Sequence, residues 1–399
     1  MNWEQVSTLV NDTTKELIGE SAVLLDDDLS NVVDLGNQVF SVSSYDAYTK
    51  KLIDRITRTI FVDRKYTGEM AKLRRDEWEF GIKQKIYLTE LPEAVDDDSF
   101  KLVNGASYDD NKFNQVEAAA KFFQTATTFR IDLSVAEKQA RTAFANRNEL
   151  NSFVSSLFNA VDTSLELKLE SMAKACVNNL IANTIYDDIP DLDPSKTGVK
   201  AVNLLKLYND QFDPDGNNPL KVADALYTPE FIRFAVLQIS QYIDKFKVAT
   251  RLFNCGGLIR WTPEDKQQLI LSTFLKTAAN VYLQSDTFNE QYTALPMSTS
   301  IASFQGVGDS FDFETCSKIH CEIKDPSNPN QTVEVEWGGI LGILFDYDAA
   351  GIDCEEREVT SHVVSSARFT NYFYHQEARY WNDLNEQAVV FFIGEAAGQ

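Results

Sequence analysis

The apolar residues between Asn148 and Asn183 hold one helical face for about 35 residues. Leu150, Phe153, Val154, Leu157, Phe158, Val161, Leu165, Leu169, Met172, Cys176 and Leu180 recur at spacings of three and four, which stacks them along one side of an α-helix. At 1.5 Å per residue such a helix is roughly 50 Å long. A rod of that length with one apolar stripe is either a coiled-coil strand or a spine laid across a sheet. The mixed helical and strand patterns around it favour the spine. Asp187-Asp188 and Pro190 close it, Pro because it has no N–H to continue the ladder. A chain of 399 residues has room for two or three compact units around such an element.

Upstream, Val32-Val33, Leu35, Val39-Phe40 and Val42 read as extended chain or a short strand. Tyr48, Leu52, Ile56 and Ile60 are four apart and predict a helix from Tyr45 to about Ile60. Ile82, Gln84, Ile86 and Leu88 alternate with Lys83, Lys85 and Tyr87, and Phe129, Ile131 and Leu133 alternate with Arg130 and Asp132 over Thr125–Leu133; both have the period of a strand. Between them lies an acidic stretch from Asp96 to Asp110 with Asn104-Gly105 as a turn signal. Two strands around a long polar excursion predict an extended two-stranded arm, which buries little of itself and needs a neighbour. Ser134 and Glu137 form an S-x-x-E capping box, predicting a helix that carries Ala136, Ala140 and Ala143-Phe144.

Beyond the spine the pattern is mixed. A helix is predicted over Val199–Tyr208, a turn at Asp213-Pro214-Asp215-Gly216-Asn217, and a helix to about Lys245 opened by Thr228 as N-cap and Pro229 at the first helical position. Thr262-Pro263 repeats that signal, although Leu269-Ile270-Leu271 also suits a strand. Ile319–Ile323, Val333–Trp337, Gly338–Phe345, Val359–Val364, Thr370–His375 and Gln387–Ile393 read as strands. The fold class is α+β.

Charge removes whole classes of function. Lys and Arg number 37 against 60 Asp and Glu, a formal net charge of −23. Binding to nucleic acid through a basic face is excluded, because phosphates are neutralised by clustered Lys and Arg. An anionic membrane surface is disfavoured for the same reason. The acidity is uneven: Lys50–Lys85 holds eleven Lys/Arg and six Asp/Glu, a local +5, leaving −28 elsewhere. No window approaches the length of about 18 apolar residues that a membrane helix needs. Met1–Glu20, with Glu4, Asp12, Glu16 and Glu20, is not expected to be a signal peptide. Five scattered cysteines, an odd number, read as reduced thiols in a cytosolic setting.

Candidate chemistry is sparse. His320 between Cys316 and Cys321 could contribute to a zinc site, but a second pair of ligands is missing, and a strand carrying two ordinary thiols is the better reading. His362 and His375 lie in strand-like segments without a nucleophile motif. Asp213–Asn217 lacks the glycine position and the distal Glu of a calcium loop. Gly306-x-Gly308 and Gly338-Gly339-x-x-Gly342 lack the frame of a phosphate loop, so their role is positive φ or close backbone approach. Acidic doublets such as Asp187-Asp188 read as solvated loop residues. No catalytic residue, cofactor or metal is expected.

The order of elements resembles the HK97-type major capsid proteins of tailed bacteriophages: N-terminal arm, extended β arm, spine helix, α/β domain, returning C-terminal strands. Four segments stand in order along the chain: Leu52-Ile53-Asp54-Arg55-Ile56, Phe153-Val154-Ser155-Ser156-Leu157-Phe158-Asn159-Ala160, Asn371-Tyr372-Phe373-Tyr374-His375 and Val389-Val390-Phe391-Phe392. On these the chain is similar, within that family, to the shell protein of phi29-like podoviruses. The resemblance implies an α+β HK97-like capsid fold: an N-terminal arm and helix at 1–63, an extended β E-loop at 64–133, a peripheral domain with the spine helix at 134–190, an axial domain at 191–355 (part of which could return to the peripheral domain) and returning strands at 356–399. That shell protein carries a further C-terminal Ig-like domain, whereas Gln399 follows soon after the last expected strand here, so a decoration role tied to that domain is not expected.

The function implied is self-assembly into hexamers and pentamers of an icosahedral head. Such a head encloses double-stranded DNA without sequence-specific binding, and a scaffolding protein and a portal are the partners. Each β arm would lie over a neighbouring copy, with Arg74, Arg75, Trp78, Phe80, Lys83 and Lys85 as contact candidates because Trp and Arg dominate interface hot spots. The alternative is a solvated basic hairpin without a partner. Lys72, Lys83 and Lys85 lie on the arm, but no Lys–Asn cross-link is expected. Two other readings compete: an encapsulin-like shell around a cargo enzyme, and a cytosolic enzyme with a site of scattered acidic residues.

Overall fold

The protein is described from a computed structural model that covers residues 3–19, 24–26, 31–42, 48, 51–52, 70, 73–75, 83–88, 101, 103–106, 118–123, 126–138, 142, 147–284, 298–305, 312–325, 331–354 and 358–395. In chain order the helices are α1 (Trp3–Ile18), α2 (Val32–Val42), α3 (Arg147–Asp188), α4 (Leu204–Phe212), α5 (Val222–Ala225), α6 (Pro229–Lys245), α7 (Thr273–Gln284) and α8 (Phe313–Cys316). The strands are β1 (Arg74–Arg75), β2 (Lys83–Leu88), β3 (Ala118–Phe123), β4 (Ala126–Ala136), β5 (Ala201–Asn203), β6 (Gln267–Ser272), β7 (Ser298–Ile301), β8 (Ile319–Lys324), β9 (Thr332–Trp337), β10 (Ile340–Asp346), β11 (Ala350–Cys354), β12 (Glu358–Val364), β13 (Phe369–Asn382) and β14 (Ala388–Phe392). They fall into two compact units, the first made of Met1–Phe80, Ala126–Met172 and Asp353–Arg379 and the second of Gly81–Thr125, Ala173–Ile352 and Tyr380–Gln399. The mixed α+β class is as expected from the sequence.

In the first unit, β13 is the long central ribbon, with β12 on one side and β4 on the other, both antiparallel. Its alternate residues Tyr372 and Tyr374 are buried, and they form a core with Val135 of β4, Val161 of α3, Val10 of α1, and Val32, Leu35 and Val39 of α2. Here Val32–Val42 is a helix and not the extended segment its β-branched residues suggested. Val32, Leu35 and Val39 are three and four apart, and tertiary burial of that face outweighs the weak strand preference of valine. Tyr48 and Leu52 of the next predicted helix are buried in the same core, while most of that helix lies outside the described residues.

Strand β4 corrects another expectation. The alternation over 125–133 does make a strand, but it pairs with β13 near the C-terminus, Tyr372 opposite Leu133 and Tyr374 opposite Ile131. It does not pair with β2. Local alternation specifies a strand and its inward face, whereas the partner is chosen by whichever buried face matches it. Ser134 therefore sits inside β4, where its Oγ donates to Asn371 Oδ1 at 2.6 Å, and the Glu137 N–H donates to the Arg368 carbonyl at 3.0 Å, so no capping box forms.

The spine helix, read from the sequence as about Asn148–Asn183, runs from Arg147 to Asp188. Its last turns are embedded in the second unit, with Val177, Leu180, Ile181 and Ile185 buried. The acidic doublet that ends it is not a solvated loop. Asp188 Oδ2 accepts from the backbone N–H groups of Lys200 and Ala201 at 2.8 and 2.9 Å, and Asp187 pairs with the Lys200 ammonium. The two carboxylates thereby fasten the helix end to the start of β5. Residues 201–203 form that strand, so the helix predicted over Val199–Tyr208 begins only at Leu204, capped by the Asn203 side chain accepting from Lys206 N.

The second unit is built on a five-stranded sheet in the order β5-β14-β10-β6-β7. Every residue of β10 and β14 is buried, as expected for central strands written as unbroken apolar runs. Helices α4, α6 and α7 cover one core of this sheet through Leu205, Phe231, Ile239 and Leu275. The start of α6 is as predicted, with Pro229 first, although Thr228 Oγ1 donates back to the Asp224 carbonyl instead of capping. After Thr262-Pro263 comes a single turn and then strand β6. Strands β8 and β9, both expected from the sequence, form their own antiparallel pair.

Of the glycine pair before β10, Gly338 has open space around it, and Gly339 is the one the backbone requires. Its φ is +72°, and a Cβ there would stand 2.0 Å from the Ile393 carbonyl oxygen, whose own N–H bonds to the Gly339 carbonyl at 2.9 Å. Gly339→Ala combines left-handed strain with a backbone clash, so we expect a loss of about 2–3 kcal/mol. Chemical denaturation of the purified subunit checks this; a midpoint equal to wild type would show that the β10–β14 end relaxes freely.

Candidate inter-subunit surfaces

The root of the predicted arm is a ribbon of β2 and β3, with Lys85 opposite Lys121, Ile86 opposite Ala120 and Gln84 opposite Phe122. Paired residues share a face, so the ribbon has a basic side and an apolar side. On the basic side, Lys85 Nζ lies 2.9 Å from Asp383 Oδ2 and also pairs with Glu386, while Lys121 Nζ lies 3.1 Å from Asp383 Oδ1. Arg260 Nε approaches Glu386 Oε2 at 3.6 Å. The Asp383 side chain is fully buried. Burial pushes its carboxyl up, but the charges of Lys85 and Lys121 outweigh that, and it lies below the usual carboxylate range. Burial alone would pull Lys85 down; Asp383 and Glu386 hold it above the usual lysine value. On the other side Ile86 is 69% exposed and Phe122 is 55% exposed.

Of the six contact candidates, Arg74 and Arg75 form the short strand β1, and Lys83 lies in β2 opposite Phe123. Lys85 is spent on Asp383 and Glu386 of its own chain. Trp78 and Phe80 lie outside the described residues, as does Lys72. Sequence reasoning missed Lys121 and Phe122, because Ala118-Ala119-Ala120 is a poor strand former and hid β3. It missed Asp383 because nothing local marks a turn carboxylate as the acceptor for lysines some 260 and 300 residues earlier.

Two further surfaces lie at opposite ends of the five-stranded sheet. Strand β14 is parallel to β5, β6 is parallel to β7, and β10 runs antiparallel to β14 and β6. Four strands therefore end together, and at that end a groove of about 1480 Å³ opens. Its walls include Thr273 just after β6, Gly339 just before β10 and Ile393 just after β14, with Tyr227, Val281 and Glu314 toward the outside. At the other end, the segment between α6 and β6 projects Val248, Leu252 and Trp261. That segment is tied down by Thr262, whose N–H donates to the Phe246 carbonyl at 2.8 Å and whose Oγ1 donates to Gln387 Oε1 at 2.8 Å.

The residues singled out for chemistry are not brought together. His320 Nε2 faces Glu334 at 3.0 Å on exposed strands, and His375 meets Thr360 Oγ1 at 3.3 Å. Burial pushes the Cys321 thiol up to about 11 and, with help from Asp187, the Cys255 thiol up to about 12, the opposite of an activated nucleophile. Among the described residues no group of His, Cys, Asp and Glu could hold a metal ion, and no helix is long and apolar enough to cross a membrane.

A family model described as the Phi29-like phage major capsid protein matches residues 10–392. The chain belongs to that family. It is a structural protein of the phage virion, and its copies assemble into the icosahedral head of a phi29-like phage. It is not an enzyme. No curated protein sequence matches this capsid protein. Among solved structures it is similar to a chain from the capsid of Staphylococcus phage Andhra, at 8% identity over 81% of this chain and 83% of that one with a TM-score of 0.47. It is also similar to a chain from native bacteriophage P68, at 8% identity over 80% and 83% with a TM-score of 0.49. A chain from the capsid of the Cyanophage P-SCSP1u is 9% identical over 82% and 87% with a TM-score of 0.45.

Proposed function

We propose that this capsid protein contacts its neighbours in the head through the β2–β3 arm, whose apolar face lies over an adjacent copy. The observation that carries this is the division of the ribbon: one face is held by Asp383 and Glu386, and the other leaves Ile86 and Phe122 exposed. A two-stranded ribbon with an uncovered apolar face is marginal in water and gains stability by burying it. Arg74, Arg75, Trp78, Phe80 and Lys83 remain candidates for the same contact, whereas Lys85 acts from within by anchoring the arm root.

In this reading the subdivision is HK97-like, with the N-terminal arm and helix at 1–63, the peripheral domain at 134–190, the axial domain at 191–355 and returning strands at 356–399. The arm, expected at 64–133, would end near residue 125, where β4 starts. The copies form hexamers and pentamers, with a scaffolding protein and a portal as partners. The bulk charge of −28 outside Lys50–Lys85 suits a container for double-stranded DNA, since an acidic wall does not retain the incoming duplex by counterion release.

The test is Ile86→Asp with Phe122→Asp. Both side chains are exposed, so the subunit should melt like wild type, while shell yield with scaffolding protein should fall by about tenfold or more, since charge in a hot-spot contact costs upward of about 1.4 kcal/mol. Wild-type shell yield from the double variant would sink the arm contact.

A further inference from the structure

A single turn of the second unit, residues 383–387 between β13 and β14, holds two other elements at once. On one side is the β2–β3 ribbon, and on the other the knob between α6 and β6 that carries Val248, Leu252 and Trp261. The knob is tied down through its main chain. Cys255 N–H donates to the Leu384 carbonyl at 3.0 Å, Ala388 N–H to the Phe253 carbonyl at 2.8 Å and Gln387 Nε2 to the Arg260 carbonyl at 3.1 Å, while Thr250 and Arg260 bridge through two backbone bonds of 3.0 Å. The ribbon is held by side-chain charge, Lys85 and Lys121 on Asp383 and Lys85 again on Glu386. Glu386 belongs to both attachments, because Arg260 of the knob approaches its Oε2 at 3.6 Å.

The two cations do not share this carboxylate equally. Lys85 donates a hydrogen bond to Glu386, whereas 3.6 Å places Arg260 Nε beyond the roughly 3.2 Å of a good N–H···O bond. A guanidinium is strongest on a carboxylate when the two close into a forked pair, so Arg260 can still tighten on Glu386. The Glu386 side chain is only 12% exposed. It also lies close enough to Asp346 to matter there: burial pushes that carboxyl up, and the charge of Glu386 pushes it further. A carboxylate so placed is costly unless a cation stays on it. When the ribbon lifts away and takes Lys85 with it, Arg260 stands ready to close on Glu386. We propose that Lys85 and Arg260 compete for Glu386, so that Arg260 eases opening of the arm root and the ribbon and the knob hold the turn in opposition. The competition is a property of a single copy. Only its use in the head rests on the arm contact proposed above: there, a neighbour's carboxylate that drew Arg260 off would tighten the arm root.

Amide exchange in the unassembled full-length subunit reads the competition. Arg260→Met removes the rival cation while the knob keeps its main-chain bonds. The amides of Lys83–Leu88 and Ala118–Phe123 should then exchange about threefold slower than in wild type, the scale of a partly exposed ion pair. A cation that merely braced Glu386 would have the opposite effect, its removal making the ribbon exchange faster. Arg260→Lys keeps a cation and should stay within about twofold of wild type. By reciprocity, Lys85→Met should speed exchange in the ribbon and slow it in the knob around Thr250 and Arg260. In the Lys85→Met background, Arg260→Met should no longer slow the ribbon, since the ribbon then brings no rival for Glu386. Faster or unchanged ribbon exchange in Arg260→Met, or the same slowing with Lys85 absent, would overturn the proposal. The arm contact is read in shells and this competition in single subunits, so either can fail while the other stands.

Discussion

Phe391→Ala should cost the second unit about 3–5 kcal/mol, the loss typical of truncating a fully buried aromatic. Phe391 has no exposed surface and sits in β14 between Gly342 of β10 and Val202 of β5. Its ring meets Tyr242 of α6 edge-on with centroids 5.4 Å apart, which makes it the joint between sheet and helix layer. The neighbours that would have to fill the cavity are strands locked by their ladders, so collapse is limited and the cost stays high. Denaturant unfolding of the isolated subunit measures it, with Tyr227→Ala, 77% exposed, as the comparison expected within about 0.5 kcal/mol of wild type. A loss below about 1 kcal/mol for Phe391→Ala would show that this core repacks around the gap.

The second large effect concerns Asp383. Asp383→Ala removes the carboxylate that both Lys85 and Lys121 grip and leaves two ammonium groups side by side. Breaking a buried pair from one side costs about 3–5 kcal/mol, but the lysine side chains are 22% and 32% exposed and can rehydrate in part. We therefore expect about 2–3 kcal/mol, together with detachment of the ribbon, read as faster amide exchange in β2 and β3. The pH dependence has a definite sign. Asp383 is held below its unfolded value near 3.9, so its contribution is complete above about pH 4 and is lost as pH falls through the depressed folded value. Lys85 is held above its unfolded value near 10.4, so its contribution is complete below that pH and is lost as pH rises through the folded value. Asp383→Asn should flatten the acid limb of the stability curve relative to wild type. An unchanged acid limb would mean that the lysines gain nothing from this carboxylate.

The charge asymmetry in the sequence takes on a concrete form here. Lys85, one of the eleven cations in Lys50–Lys85, finds its acids at Asp383 and Glu386 of its own chain. Lys85, expected among the contacts to a neighbour, pairs within its own chain, and in the arm contact proposed above it is the apolar side of the ribbon that meets the other copy. The two roles are compatible, because a ribbon anchored on one face presents the other with less conformational entropy to lose on contact.

Elements with a strong local period were legible. The spine helix was visible because three- and four-residue spacing persists over ten turns, and β10 and β14 because unbroken apolar runs of that length fit only central strands. Pro229 marked the start of α6 to the residue. Val32–Val42 was misread because its composition favours strand while its spacing favours helix, and burial against Tyr372 and Tyr374 decides between them. The alanine-rich strand β3 and the acceptor Asp383 were illegible for a different reason: each acquires its role from a partner far away in the chain.

The sequence by itself determined the α+β class, the spine, the buried strands and the acidity that excludes phosphate-binding faces, because these follow from local periodicity and from sums over residues. Only the tertiary structure decided that β4 joins β13 and not β2, that Lys85 and Lys121 converge on Asp383, and that a groove and a knob occupy opposite ends of one sheet. Strand partnership and charge pairing are settled by whichever distant surfaces match in register, burial and sign. Alternation along a single strand carries the face but not the partner.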